Sequence, residues 1–386
     1  MSGTDVSQEA TFMGKIFQSD NRKYPRKIID KLCVKQLNEI ALIYVVSLSP
    51  GKTFEERIMK ISIKELEELT RRAVKKYGYN DKEVQVITDV LLYAQLRDNN
   101  QGVVKLIDMG IPKDPKAGEI VIEKETPISA RINGTKNHAM LVVGKAVEIV
   151  KEKAKKSGFA IAGTFNTNTS SGAIGYYASR LASEGLIGFA FSRSPQRVAV
   201  YGSYEPVFGT NPLAVAIPSE QDPIILDMST AATSYFGLVE AQTAGRSIPP
   251  DFAYDNQGNP TTDPQKAIAG AIRSFDRSYK GSGLALIGEI LAGPLVGAAF
   301  CGIGDSKGNW GHLIFAIDPE LLTERDKLVS NISEIISKVK STKKLPGVDE
   351  IFMPGERESL LARQRQESGL IEVEDNLLAE LRKVAG

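Results

Sequence analysis

Cysteine and histidine are almost missing from this sequence, with two of each in 386 residues. Cys33 and Cys301 stand far apart in hydrophobic surroundings. That excludes a disulfide framework and reads as reduced thiols in a cytoplasmic protein. His138 and His312 have no nearby Cys or His partners, and neither HExxH nor CxxC occurs, so no metal site is expected. Net charge is missing too: 48 Lys and Arg stand against 47 Asp and Glu. That balance removes any general pull toward nucleic acid or an anionic membrane. The first twenty residues lack a secretory pattern, and the apolar run at 37–48 is too short to span a membrane and contains Glu39. It reads as a helix or strand docking on the main domain or on a partner subunit, with a membrane or targeting role as the alternative. No GxGxxG follows a predicted strand, so the ordinary dinucleotide fingerprint is absent. The exclusions leave a soluble globular chain, long enough for two or three subdomains.

What is present begins with helix signals. The compact part is expected to start near Ile61, where Ser62 and Glu65 suggest a capping box. A helix through Leu66, Ala73 and Val74 then stops at Gly78. Asn80 and Glu83 repeat the capping pattern for a second helix, which exits into a polar turn containing Asn100, Gln101 and Lys105. That turn is either a simple helix exit or a ligand-facing segment in which Lys105 meets an anionic group. Further helices are expected over 144–158, 319–340 and 371–384, with a strand over 311–317.

The central stretch, Gly163 to Pro218, alternates strand, polar Asn/Thr/Ser loop, helix and strand. That is the pattern of α/β sites in which loops at strand ends meet the ligand. Ser170 lies in its first loop, Arg193, Ser194 and Arg197 follow its second strand, and Gly209-Thr-Asn-Pro212 forms a turn. A buried strand then ends in Asp227, Met228, Ser229 and Thr230, suited either to a phosphate or ribose or to capping the helix near Tyr235. Lys280 beside Gly281 and Gly283 reads as a phosphate clamp at a helix start.

In order, the pieces Gly172-Ala-Ile-Gly-Tyr-Tyr177, Gly209–Pro212, Asp227–Thr230, Asp255–Pro264 and Lys280–Leu284 resemble the malate/L-lactate dehydrogenase family of the non-Rossmann type. Gly311–Pro319 and Met353-Pro-Gly-Glu356 continue the resemblance, which covers 61–386. The family includes sulfolactate and ureidoglycolate dehydrogenases, a diketogulonate reductase and cyclic-imine reductases. The resemblance implies an α/β fold with a mixed-sheet cofactor domain and a helical terminal domain, assembled as a homodimer. The corresponding division is an extension at 1–60, a helical part at 61–126, a cofactor and substrate region at 127–300, and a C-terminal part at 301–386 packing back on the first helices. It also implies NADH or NADPH as cofactor, and a 2-oxo or 2-imino acid as substrate. Cofactor contacts would fall on Ser194, Asp227, Met228, Ser229, Thr230 and Lys280, and more loosely on Gly311, His312, Pro354, Gly355 and Glu356. Arg193 and Arg197 are either partners for a 2′-phosphate, which would favour NADPH, or surface arginines of a loop.

The chain departs from the family pattern where proton transfer is expected. Ser-His-Gly followed two residues later by Arg becomes Asn100-Gln101-Gly102 with Lys105, and the histidine before the tyrosine helix becomes Ser170. Asn100, Gln101, Lys105 and Ser170 are therefore the candidate catalytic set. A positioned acid contributes on the order of 10²–10⁴-fold in rate. Three accounts follow: a protonated imine substrate that needs no acid, a substitute donor among His312, Tyr176 and Asp227, or a dinucleotide-binding homologue without turnover that serves a structural or regulatory role.

Overall fold

The structure, a computed structural model, describes residues 58–107, 110–243, 245–303 and 309–386. The 37–48 run and Cys33 lie outside the described residues. Residues Lys60–Gly386 form one compact unit. In chain order its first elements are β1 (Ile58–Ser62), α1 (Ile63–Lys76) and α2 (Asp81–Leu96), then a 3-10 turn at Val103–Leu106. Next come β2 (Val121–Thr126), β3 (Ser129–Asn133), α3 (Ala139–Ser157), β4 (Phe159–Thr167), α4 (Gly175–Ala182) and β5 (Ile187–Ser192). The short strands β6 (Val198–Ala199) and β7 (Pro206–Phe208) precede β8 (Leu213–Ile217), β9 (Ile224–Met228) and α5 (Tyr235–Thr243). Then follow β10 (Ala253–Tyr254), β11 (Pro260–Thr261), α6 (Pro264–Ala269), β12 (Ala271–Ile272), α7 (Tyr279–Ala292) and β13 (Trp310–Ile317). The chain ends with α8 (Arg325–Lys340), α9 (Glu356–Ser368), β14 (Leu370–Glu374) and α10 (Asp375–Ala385).

Seven strands form the main sheet in the order β2-β3-β4-β13-β5-β8-β9, antiparallel except where β3 and β4 run parallel around the α3 crossover. Strand alternation divides its two faces by size. Ala160, Ala162, Ala190, Ala214, Ala216 and Ala316 are buried in the main core with α3 and α4. Small residues there let both helices approach the strands closely. The opposite face carries Phe159, Phe189, Phe191 and Phe315, with Phe189 stacked on Phe315 at 4.3 Å between ring centroids. These aromatics are only half-buried. A second sheet, β11-β10-β12-β6-β7, has its own core around Val198, Phe208, Leu238 and Ile272.

Local signals match the structure closely at α2, where Asn80 and Glu83 make a complete capping box. At α1 the box is half formed. Ser62 Oγ accepts from the Glu65 N–H at 3.0 Å, but the Glu65 carboxylate pairs with Arg382 instead. The expected helix at 371–384 divides in two: its first residues belong to β14, which pairs with β1, and α10 follows. Isoleucine and valine at 371 and 373 point alternately into the core, a strand pattern too short to stand out beside a helix. The expected helix at 144–158 begins earlier, at Ala139, because His138 caps it. Gly281 and Gly283 lie in the first turns of α7, so Lys280 stands at a helix start.

Candidate functional site

The first turn of α5 is where separated segments meet. Ser234 Oγ accepts from the Gly237 N–H at 2.9 Å and so caps the helix, the role expected of 227–230. The same hydroxyl accepts from Asn100 Nδ2 at 2.8 Å, and Asn100 Oδ1 accepts from Gln101 Nε2 at 3.0 Å. Phe236, two residues on, lies under the Lys105 ammonium, with Nζ 4.0 Å from the ring centroid. Between them, Tyr235 lies beneath the Arg197 guanidinium at 4.3 Å. The turn at 100–105 comes this close because Gly102 has no side chain: a Cβ there would stand 2.4 Å from Gln95 Oε1. That oxygen accepts from the Val103 N–H instead.

Lys105 is the centre of the cluster. It is 5 % exposed, and Nζ donates to Ser170 Oγ at 3.1 Å. Among the described residues no carboxylate pairs with it. Burial without a counter-ion favours the neutral amine and pulls its pKa down to about 7. His138 closes another side. Its Nδ1 accepts from the Met140 N–H at 3.2 Å, which leaves the imidazole proton on Nε2, a buried atom with no protein partner. Burial first, and the Lys105 charge second, hold His138 neutral with a pKa lowered to about 3. The groups around Lys105 are thus rich in donors and carry no anion.

A second knot joins the sequence-predicted cofactor residues. Ser194 Oγ stands 3.2 Å from Thr210 Oγ1 and accepts from the Thr210 N–H at 3.0 Å. The Thr210 carbonyl accepts from Ser229 Oγ at 3.0 Å and from Thr230 Oγ1 at 2.9 Å. The Phe275 N–H donates to the Thr230 carbonyl at 2.9 Å and ties in the turn before α7. Lys280, on the first turn of α7, is exposed. Met228 is half-buried at the end of β9.

Several expected site residues have other work. Arg193 is fully enclosed and its Nε bonds Glu289 at 3.2 Å, so it does not reach a 2′-phosphate. The physical reason is the Glu289 carboxylate, which also accepts from Asn211 Nδ2 at 2.6 Å, Gly209 N–H at 3.4 Å and Cys301 N–H at 2.8 Å. This hub holds the 209–212 turn, and its signal was a lone carboxylate in the apolar run of α7. His312 is buried in mid-sheet with Nδ1 2.9 Å from Thr164 Oγ1, and burial lowers its pKa to about 3. As proton donor it is therefore poorly placed, and its neighbour Gly311 fits β13 tightly against α7. Tyr176 takes a hydrogen bond from Arg180 at 3.1 Å, and burial raises its pKa. Asp227 accepts from the Gly175 N–H at 2.8 Å. Surrounding protein raises its pKa although the residue keeps a solvent-exposed side. Pro354 O accepts from the Ile225 N–H at 3.1 Å, Gly355 takes φ +77° against that strand, and Glu356 is paired with Lys340. None of these partners belongs to the Lys105 cluster. Sequence reading missed Ser234, Phe236, His138 and Glu289 as site residues.

The fold is thus a mixed α/β sheet with hydroxyl-lined turns at its strand ends, beside a buried cation lacking a counter-ion. The chain belongs to the malate/L-lactate dehydrogenase family, whose profile matches residues 61–382. It is 34% identical over 342 residues to the malate/(S)-sulfolactate dehydrogenase of Methanothermus fervidus, covering 85% of this chain and 97% of that protein. Similarity extends to the ureidoglycolate dehydrogenase (NAD(+)) of Escherichia coli O157:H7, 28% identical over 82% of this chain and 93% of the other. It also extends to the (2R)-3-sulfolactate dehydrogenase (NADP(+)) of Chromohalobacter salexigens, 29% identical over 84% and 98%. The solved sulfolactate dehydrogenase of Methanocaldococcus jannaschii superposes with a TM-score of 0.72 at 30% identity, covering 84% of this chain and 96% of that one. The protein is an NAD(P)-dependent oxidoreductase with the family's non-Rossmann fold.

Proposed function

We propose that the chain interconverts a small 2-oxo or 2-imino carboxylate and its reduced product, in the cytoplasm, as an atypical member of its family. The observation that carries this reading is the buried Lys105 ammonium, bonded to Ser170 and stacked on Phe236 with no carboxylate beside it. A substrate carboxylate supplies the missing charge, while the Asn100 and Gln101 amides orient the rest of the molecule.

The residues also fit a dinucleotide in kind. Ser194 and Ser229 offer hydroxyls at the ends of β5 and β9, and exposed Lys280 and half-buried Arg197 offer cations. When bound, the nicotinamide exchanges a hydride with the substrate carbon. With Arg193 enclosed, Arg197 is the cation that would meet a 2′-phosphate and favour NADPH over NADH. The division into a terminal layer (61–126 with 301–386) and a central region (127–300) follows the same reading, supported by the packing of α10 on α1. Homodimer formation is supported by the half-exposed aromatic face of the main sheet and by exposed Leu286, Ile287 and Ile290 on α7.

The test is stopped-flow loss of reduced-nicotinamide absorbance, with NADH and NADPH, against a panel of 2-oxo acids and cyclic 2-imino acids. Turnover on at least one carboxylate substrate is expected, and none on the matching amides. Cofactor quenching of the single tryptophan, Trp310, without turnover of any panel member would instead favour a binding homologue with a structural or regulatory role.

A further inference from the structure

The residues assigned to proton transfer by family resemblance are absent here; His312 is buried in mid-sheet with Nδ1 on Thr164, and Tyr176 and Asp227 bond Arg180 and Gly175. We propose that Lys105 itself carries the reaction proton, delivering it from Nζ to the substrate oxygen or nitrogen and taking it back in the oxidative direction. This rests on the carboxylate-substrate reading above and gives Lys105 a role in the chemical step as well as in binding.

Geometry singles out Lys105. In the free protein its nitrogen is buried and donates only to a hydroxyl and an aromatic face, neither of which fixes its charge as a carboxylate would. The bound substrate carboxylate keeps it charged until hydride addition leaves a strongly basic heteroatom. An ammonium so placed gives up a proton readily and, as the neutral amine, accepts one. Ser170 Oγ lies within reach and also accepts from the Gly172 N–H at 3.3 Å, so its lone pairs are held toward donors and its own proton is free for the substrate side. In reduction, the carbonyl or imine carbon gains a hydride from the dihydronicotinamide and its π pair moves to the heteroatom. That atom takes the proton from Lys105 Nζ, leaving a neutral amine and an oxidised nicotinamide. Solvent protons later restore the ammonium. Oxidation runs through the same atoms in reverse.

The groups facing Nζ are Ser170 from the 168–172 loop, Phe236 from α5 and His138 from the start of α3. From α1, α2 and α10, which pack on the same 3-10 turn, no charged group couples to it. His138 stays neutral across the working range and so adds no limb of its own beside that of Lys105.

The experiment compares wild type with Lys105→Arg and Lys105→Met on the 2-oxo acid that the wild type reduces. Arginine keeps the charge and a carboxylate fork but does not titrate in this range. Lys105→Arg is expected to hold KM within several-fold, to lower kcat by roughly 10²-fold or more, and to lose the alkaline limb of kcat. Lys105→Met is expected to lose both binding and rate. Cofactor quenching of Trp310 and an unchanged circular dichroism spectrum confirm that each variant is folded. A Lys105→Arg enzyme that keeps wild-type kcat and its alkaline limb overturns the proton assignment alone. So does a wild type that turns over cyclic imines but no 2-oxo acid, since a protonated imine needs no acid. Absence of turnover on the whole panel overturns the functional reading as well.

Discussion

Lys105 shows how a single side chain acquires chemistry from its surroundings. An exposed lysine titrates near 10.4, whereas burial here brings Lys105 to about 7. Its folded pKa lies below its unfolded one. Between those values the unfolded chain binds the extra proton, so the stability cost of burying Lys105 is full below about pH 7 and fades as pH rises toward 10. Urea unfolding of wild type and Lys105→Met across that range should show the methionine variant's advantage shrinking, by at most about 1.4 kcal/mol per pH unit. A constant difference would show that Lys105 is charged in the folded protein throughout. Arg193 teaches the complementary lesson. It is as buried as Lys105 but has Glu289, and breaking such a pair typically costs about 3–5 kcal/mol. Lys105 has no counter-ion among the described residues, and the arginine is a fixed part of the frame.

At the scale of elements, close approach decides the site's shape. Gly311 on β13 packs against the end of α7: a Cβ there would stand 2.1 Å from the Ala292 carbonyl and 2.5 Å from Ala298 Cβ. The nearest obstacle is backbone, so relief requires moving the helix that carries Glu289. Gly311→Ala should therefore cost about 1–3 kcal/mol and weaken cofactor binding, because the Gly311 carbonyl also accepts from the Arg193 N–H at 2.9 Å. Unfolding by urea together with cofactor titration on Trp310 checks both. Stability near wild type would show that α7 yields at little cost. The elements themselves were largely legible in the chain, because the capping residues at 80–83 and the alternation in 159–167, 187–192 and 310–317 are local. The split of 371–384 into strand and helix was not legible, since β14 exists only by pairing with β1, more than 300 residues away in sequence.

At the scale of the whole molecule, the terminal helices close on each other. Arg72 donates to the Gly386 carbonyl, Arg382 pairs with Glu65, and Leu378 and Leu381 are fully buried against the first helices. Among the described residues no helix is long and apolar enough to cross a membrane. On α7, the neighbouring side chains Leu286, Ile287 and Ile290 are 43 %, 50 % and 45 % exposed. A contiguous face of this kind argues for a partner. Light scattering behind size-exclusion chromatography should give twice the chain mass, and Ile287→Asp with Ile290→Asp should shift it to one. A wild-type monomer at micromolar concentration would overturn the dimer reading.

Local rules, written in neighbouring residues, were enough to read the caps, the strand alternation, the hydroxyl-rich turns and, through their ordered set, the family. Backbone sterics and capping bonds act over a few positions, so the chain displays them directly. The state of the site was decided elsewhere. Lys105 meets Ser170 across 65 residues, Arg193 meets Glu289 across 96, and Asn100 meets Ser234 across 134. Charge, burial and counter-ion are properties of such distant neighbours. That is why two cationic residues, both named as site candidates from the sequence, separate in the fold into a structural pair and a lysine without one.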